Sequence, residues 1–216
     1  GYLPQALLNF IALLGWNPGD DREVLSLEEM VDEFRFERVS KSGAVFDREK
    51  LNWMNQQYLL KLPEEEYFRM IDDVIQKGDY HDQDPGKIRQ AAEILKTRLV
   101  TLSDLNQKLG LFFEENPEIK DLQAIEVLKE ENSKTVLKEF LQQAENLDQL
   151  TSENLGQLVK SVQKSTGIKG RGLWMPLRCA ITREVSGPEL PAMLDFFGGE
   201  KCLHLIHQTL KNPSLN

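Results

Sequence analysis

The sequence is poor in the features that mark several large classes of protein. Only two cysteines, Cys179 and Cys202, occur in 216 residues, which suits a reducing cytoplasm and argues against a disulfide framework. No apolar run approaches the roughly 20 residues that a membrane-spanning helix needs, so no membrane partner is expected. No basic, apolar signal-peptide pattern opens the chain. Strand-like alternation of apolar and polar residues is almost absent. So is a strand leading through a glycine-rich turn into a helix, the arrangement that cradles a nucleotide. No Ser/His/Asp or Cys/His arrangement points to nucleophilic catalysis. Cys202, His204 and His207 could be drawn together with Cys179 as metal ligands. A helix, however, sends positions 202, 204 and 207 in different directions, whereas zinc needs convergent donors. Neither a metal site nor a catalytic residue is expected.

What the chain does have is enough apolar content, 40%, to bury a core in one large domain or in two to three small helical ones. Its net charge of −9 is unevenly spread. From Gln157 onward eight Lys/Arg face four Asp/Glu, giving +4 and leaving −13 on the first 156 residues. An acidic body with a basic end fits docking on one part of an RNA rather than wrapping of a uniformly basic surface, although an uneven surface with no partner gives the same totals.

Helix signals recur along the whole length, and an all-α fold is expected. Pro4 can sit in the first turn of a helix whose apolar face is Leu3, Leu7, Phe10, Ile11 and Leu14. Ser26 and Glu29 form a capping box ahead of Leu27, Met30, Val31 and Phe34. Asp47 caps a helix carrying Trp53, Met54 and Tyr58 as packing residues, with Phe46 and Leu51 placed as a hydrophobic staple. Glu64, Glu65 and Glu66 read as first-turn carboxylates favoured by a helix dipole rather than as an acid–base pair. Asp84-Pro85 restarts a helix, Thr101 with Asp104 caps another, and Ser133 is expected to cap a third. A Ser152-started helix ends at Gly167 in a left-handed conformation. A helix from Leu173 to about Ile181 would hold Pro176 in its first turn, and two helices, Glu189 to Phe197 and Lys201 to Leu210, close the chain. Breaks at Leu62-Pro63 and Asn116-Pro117 divide it into residues 1–62, 63–117 and 118–216.

The segment Lys169-Gly-Arg-Gly-Leu-Trp-Met-Pro-Leu-Arg178 combines glycines that let backbone approach a phosphodiester, Lys169 and Arg171 for phosphate contact, and Trp174 as a flat surface for an unstacked base. Arg178 offers a guanidinium fork suited to phosphates and base edges, or to a carboxylate such as Glu189. Trp174 could equally pack in a core. Together with Ala180-Ile-Thr182 and Gly187-Pro-Glu-Leu190, this segment resembles the C-terminal signature of bacterial-type glutamyl-tRNA synthetases. Two further stretches are similar to that family in its own order. They are Gly1-Tyr-Leu-Pro-Gln-Ala-Leu-Leu-Asn-Phe-Ile-Ala-Leu-Leu-Gly-Trp16 and the run Glu37-Arg-Val-Ser-Lys-Ser-Gly-Ala-Val-Phe46 through Asn55. The chain departs from the family at Arg183, where many members have Gly, and at Gly198-Gly199-Glu200-Lys201, where Leu-Gly-Lys-Glu is commoner.

The resemblance implies a tRNA stem-contact region (1–62) followed by two helical anticodon-binding subdomains (63–117 and 118–216). It implies glutamate tRNA as partner, glutamine tRNA as a second candidate, no DNA, a monomer and a cytoplasmic location. Arg178 would face the anticodon, with Lys169, Arg171 and Trp174 around it. Arg98 would read the first anticodon base, with Arg89 as its rival, and Ser40, Lys41 and Ser42 would touch the tRNA stem through phosphate oxygens. The His-x-Gly-His and Lys-x-Ser-Lys motifs with which class I synthetases bind ATP do not occur. The chain is therefore expected to be the C-terminal part of a parent ligase that uses ATP and Mg²⁺, to hold no cofactor of its own, and not to activate glutamate alone. Glutaminyl-tRNA synthetases fit less well, because their anticodon domains are β-barrels. An all-α protein-interaction module without RNA binding is the alternative.

Overall fold

The computed structural model describes residues 1–40 and 43–215, and among them the only strand-type pairing is one isolated bridge between Trp16 and Val39. The all-α expectation holds. The chain forms two compact units, Gly1–Leu109 and Gly110–Asn216, divided within one helix.

The first unit contains α1 (Pro4–Gly15), α2 (Leu27–Glu33), α3 (Arg48–Lys61), α4 (Glu64–Ile75), α5 (Pro85–Leu95) and most of α6 (Asp104–Phe113). Local signals place the helix starts. Ser26 and Glu29 form the capping box of α2, Asp47 accepts from Glu49 and Lys50 N–H at the start of α3, and Asp84 accepts from Lys87 N–H ahead of Pro85. Two buried asparagines tie these helices together. Asn55 of α3 accepts from Leu3 N–H at 2.8 Å, satisfying a donor at the otherwise uncapped start of α1, and donates to Val100 O. Asn9 of α1 accepts from Leu25 N–H and from the Tyr58 hydroxyl.

These polar anchors turn α1 away from its expected orientation. Leu3, Ala6, Asn9 and Phe10 are buried, whereas Leu7 and Ile11 are exposed. A buried Asn with long-range partners competes with apolar periodicity, and here it wins. In α2 only Met30 of the expected face is buried, and in α3 Trp53 is exposed while Met54 is core. Phe46 meets the ring of Phe10 at 5.2 Å.

The second unit packs α7 (Leu122–Lys129), α8 (Glu131–Ala144), α9 (Ser152–Thr166), α10 (Arg171–Thr182) and α11 (Leu190–Lys211) around Val136, Phe140, Val162, Leu177, Met193 and Leu205. Ser133 does not cap α8. It lies inside the first turn, buried, and its hydroxyl donates to Val127 O at 2.6 Å, so the cap position falls to Glu130. The two expected closing helices appear as α11, broken at Gly198 by a backbone at φ 76 that a helix does not contain.

Candidate nucleic-acid interface

The corner between α9 and α10 positions the basic segment. Thr151 and Asn154 form a capping box at the start of α9, and Gly167 ends it at φ 71, as expected for a left-handed terminator. Gly170 then takes φ 62 and ψ −134, a conformation that favours glycine, and its carbonyl accepts from Leu173 and Trp174 N–H as α10 begins. The helix therefore starts at Arg171, two residues earlier than expected, and Pro176 lies within its interior rather than its first turn. Having no N–H, Pro176 leaves the carbonyl of Gly172 without its helical donor.

Lys169 and Arg171 are exposed on this corner, and Trp174 keeps 42% of its surface open. Trp174 is thus available at the surface rather than buried in a core. Lys160 and Lys164, absent from the sequence-predicted set, are also exposed on α9. Their four-residue spacing puts them on one helix face leading into the corner, and that spacing is the signal that identifies them.

Arg178 sits farther along α10, with its side chain 22% exposed, and its guanidinium is already engaged. One terminal nitrogen donates to Gly187 O at 2.8 Å and the other pairs with Glu189 at 3.0 Å. Both partners belong to the loop joining α10 to α11. That loop is held further by Asp121, which accepts from Val185 N–H at 2.9 Å, and by the Thr182 hydroxyl, 2.9 Å from the carbonyls of Arg178 and Glu184. Gly187 fits because a Cβ there would lie 2.4 Å from the Cβ of Thr182. Arg178 and the Gly187-Pro188-Glu189 turn thus form one hydrogen-bonded element.

The other predicted residues lie in the first unit. Arg98 ends the short 3-10 turn Lys96–Arg98 after α5 and is half-buried. Its rival Arg89 pairs with Asp72 at 3.2 Å and lies over the Phe68 ring at 5.3 Å. Ser40 is exposed, and its N–H donates to Gly15 O at 2.7 Å. Lys41 and Ser42 lie outside the described residues.

Among the described residues no group of three or more His, Cys, Asp and Glu is placed to hold a metal ion. Cys202 is buried with its thiol toward Met193 O, while His204 and His207 are exposed, so the three diverge as helix geometry requires. Burial pushes the Cys179 thiol up to about 11 and that of Cys202 up to about 12, which makes both poor nucleophiles and ligands at neutral pH. The arrangement provides hydrogen-bond donors, cations and one aromatic face, and so suits binding of a polyanion.

Comparison with known proteins agrees with this chemistry. Residues 53–210 match the family described as the anticodon binding domain, and residues 1–53 match the catalytic domain of class I tRNA synthetases (E and Q). Glutamate–tRNA ligases of two Listeria monocytogenes strains, serovar 1/2a EGD-e and serotype 4b F2365, are each 39% identical over 98% of the chain. The chain spans 44% of the length of each. A solved glutamate tRNA ligase from Elizabethkingia meningosepticum, in complex with its amino acid, superposes with a TM-score of 0.69 at 29% identity, over 98% of this chain and 42% of that one. A glutamate–tRNA synthetase from Elizabethkingia anophelis gives 0.67 at 28% identity, over 98% of this chain and 41% of that one. The chain belongs to the anticodon binding domain family, in the form carried by glutamate–tRNA ligases.

Proposed function

We propose that the chain recognises tRNA on behalf of a class I glutamate–tRNA ligase that joins glutamate to its tRNA through glutamyl-adenylate. The observation that carries this reading is the α9–α10 corner. Exposed Lys160, Lys164, Lys169 and Arg171 flank the open face of Trp174 there, in a chain whose residues 53–210 match an anticodon binding domain. Cations would hold phosphates and the indole would stack an unpaired base. Arg178, aligned by Gly187 and Glu189, would present its fork to a base edge at the α10–α11 turn. Arg98 would read the first anticodon base in the first unit, and Ser40 would contact the stem. Residues 1–62, 63–117 and 118–216 would serve as stem-contact region and two anticodon subdomains.

ATP and Mg²⁺ would be the cofactors of the parent ligase, serving formation of glutamyl-adenylate. Glutamate tRNA is the proposed partner, with glutamine tRNA a second substrate if Arg98 does not discriminate. The setting would be cytoplasmic and the protein monomeric; no helix among the described residues is long and apolar enough to cross a membrane.

The test is a titration of the chain with glutamate tRNA at two salt concentrations. Binding that weakens as salt rises, and weakens further when Lys160, Lys164, Lys169 and Arg171 are replaced by Gln, is expected. Binding indifferent to both changes would refute the reading.

A further inference from the structure

The loop between α10 and α11, residues 183–189, is held at its start, its middle and its end. At the start Arg183 ends α10 at φ 63, the one positive φ outside glycine among the described residues. Its guanidinium donates to Ala180 O at 2.8 Å and to the Thr209 hydroxyl of α11 at 2.7 Å. At the end Arg178 holds Gly187 O and Glu189. In the middle Val185 N–H is held by Asp121, which stands at the start of α7, 64 residues earlier in the chain.

Asp121 divides its carboxylate between two tasks. Its Oδ1 accepts from Gln123 N–H at 2.9 Å and so caps α7, and its Oδ2 accepts from Val185 N–H at 2.9 Å. A cap needs one acceptor, which Asn or Ser supplies about as well as Asp. The second oxygen is what a carboxylate adds, and an N–H bond to a charged acceptor is stronger than one to a neutral acceptor. Only Ser186 separates Val185 from Gly187, whose carbonyl receives the Arg178 guanidinium. Gly187 and Pro188 are buried. With planar peptide units on both sides of a single residue, the place of Val185 constrains the place of Gly187 O. A carboxylate repels RNA phosphates, so Asp121 is suited to act through the loop rather than on a ligand.

We propose that Asp121 is a positioning residue for RNA recognition. By holding Val185 it sets the place of Gly187 O, and hence the aim of the Arg178 guanidinium. The proposal rests on the tRNA reading above, in which Arg178 meets a base edge.

Two variants of the whole chain test it, Asp121→Asn and Asp121→Ser. Both new residues cap helices well, so α7 keeps its start, and neither offers Val185 a charged oxygen. Amide exchange followed by NMR, at a temperature where each variant is fully folded, reads the tie itself. Val185 N–H should exchange about tenfold faster or more, from loss of a charge-assisted bond, while Gln123 N–H changes little. If the Asn turns its oxygen to Val185, Gln123 exchange quickens instead, and Asp121→Ser, with a single oxygen, decides. Val185 exchange unaltered in both variants overturns the proposal.

Glutamate-tRNA affinity is then measured for each variant, for Arg178→Ala, and for the variants combined. A freed loop leaves Arg178 correctly aimed in only part of the population, and apparent affinity falls by that fraction, here by about threefold or more. The salt dependence should stay as it was, because no phosphate-binding cation is lost. Loss of a negative charge would by itself tighten binding to a polyanion, so weakening is the opposite of a simple charge effect. In the Arg178→Ala background the Asp121 variants should weaken binding no further, because the group through which they act is gone. Equal weakening in both backgrounds overturns the proposal, since general loosening of the second unit would give that result. Asp121 variants that bind like the unaltered chain, while Arg178→Ala binds less tightly, overturn this proposal and leave the tRNA reading standing. An Arg178→Ala chain of unchanged affinity removes the base contact of Arg178, and this proposal with it.

Discussion

Replacing Arg178 by Ala removes two interactions of different worth. The bond to Gly187 O joins a charged donor, 22% exposed, to the carbonyl of a buried residue, and such a bond contributes about 1.5–3 kcal/mol. The pair with Glu189, whose side chain is 65% exposed, contributes about 0.2–1 kcal/mol. Arg178→Ala should therefore destabilise the second unit by about 2–4 kcal/mol, and Glu189→Gln by less than about 1 kcal/mol. At about 4–8 °C per kcal/mol for a unit of this size, the melting temperatures of the two variants should differ by about 4 °C or more. The tRNA titration separates structure from recognition. If Arg178 contacts a base, Arg178→Ala should weaken glutamate-tRNA binding about tenfold or more at a temperature where the variant is fully folded. Glu189→Gln loosens one side of the brace and should weaken binding far less than Arg178→Ala does. A folded Arg178→Ala chain with unchanged tRNA affinity would refute recognition and leave the residue a brace for the α10–α11 turn.

Three further outcomes are expected. The chain should show no glutamate-dependent ATP–pyrophosphate exchange in a preparation free of host synthetase, and exchange above a buffer blank would contradict this. A full-length ligase carrying Arg98→Gln should shift its charging ratio toward glutamine tRNA by about tenfold, since Gln offers a donor and an acceptor where Arg offers donors only; equal loss on both tRNAs would point to packing instead, with Arg89 tested next. Cys179 and Cys202 should resist an aromatic disulfide reagent at pH 8 until the chain is unfolded. Because burial raises both thiols, their contribution to stability is complete below the unfolded thiol value, about 8.5, and is lost as pH rises through about 11 to 12. Denaturation midpoints should accordingly fall between pH 8.5 and 11, and rapid labelling of the folded chain at pH 8 would show that the thiols are not enclosed.

The helix starts were legible because their causes are local. Ser26 with Glu29, Asp47, and Asp84-Pro85 each satisfy N–H groups within three residues, so neighbouring sequence contains both partners. Gly167 was legible for the same reason, because a left-handed terminator depends on its own backbone. The facing of α1 was not. Leu7 and Ile11 satisfy helical apolar spacing as well as Leu3 and Phe10 do, and what decides between the two stripes is Asn9, whose partners are 16 and 49 residues away. Ser133 misled in the same manner, since its acceptor, Val127 O, lies in the preceding helix.

The candidate site divides along that line. Lys169, Arg171 and Trp174 are exposed on a glycine-shaped corner whose form follows from Gly167 and Gly170. Arg178 is a cation of the same segment, yet its guanidinium is engaged by Gly187 and Glu189, nine and eleven residues on. In the proposed role, such an arginine would meet RNA only as part of the turn it supports. Its geometry is fixed before a ligand arrives, and less side-chain entropy remains to be lost on binding. An exposed lysine on the same surface must lose that freedom at the moment of contact. Under the proposed function, Lys160, Lys164, Lys169 and Arg171 would supply salt-sensitive attraction without sequence preference, and the braced Arg178 would supply discrimination. In a salt series the lysine variants should flatten the slope of affinity against salt, whereas Arg178→Lys, which keeps the charge but not the fork, should leave the slope intact and lower affinity at every salt concentration.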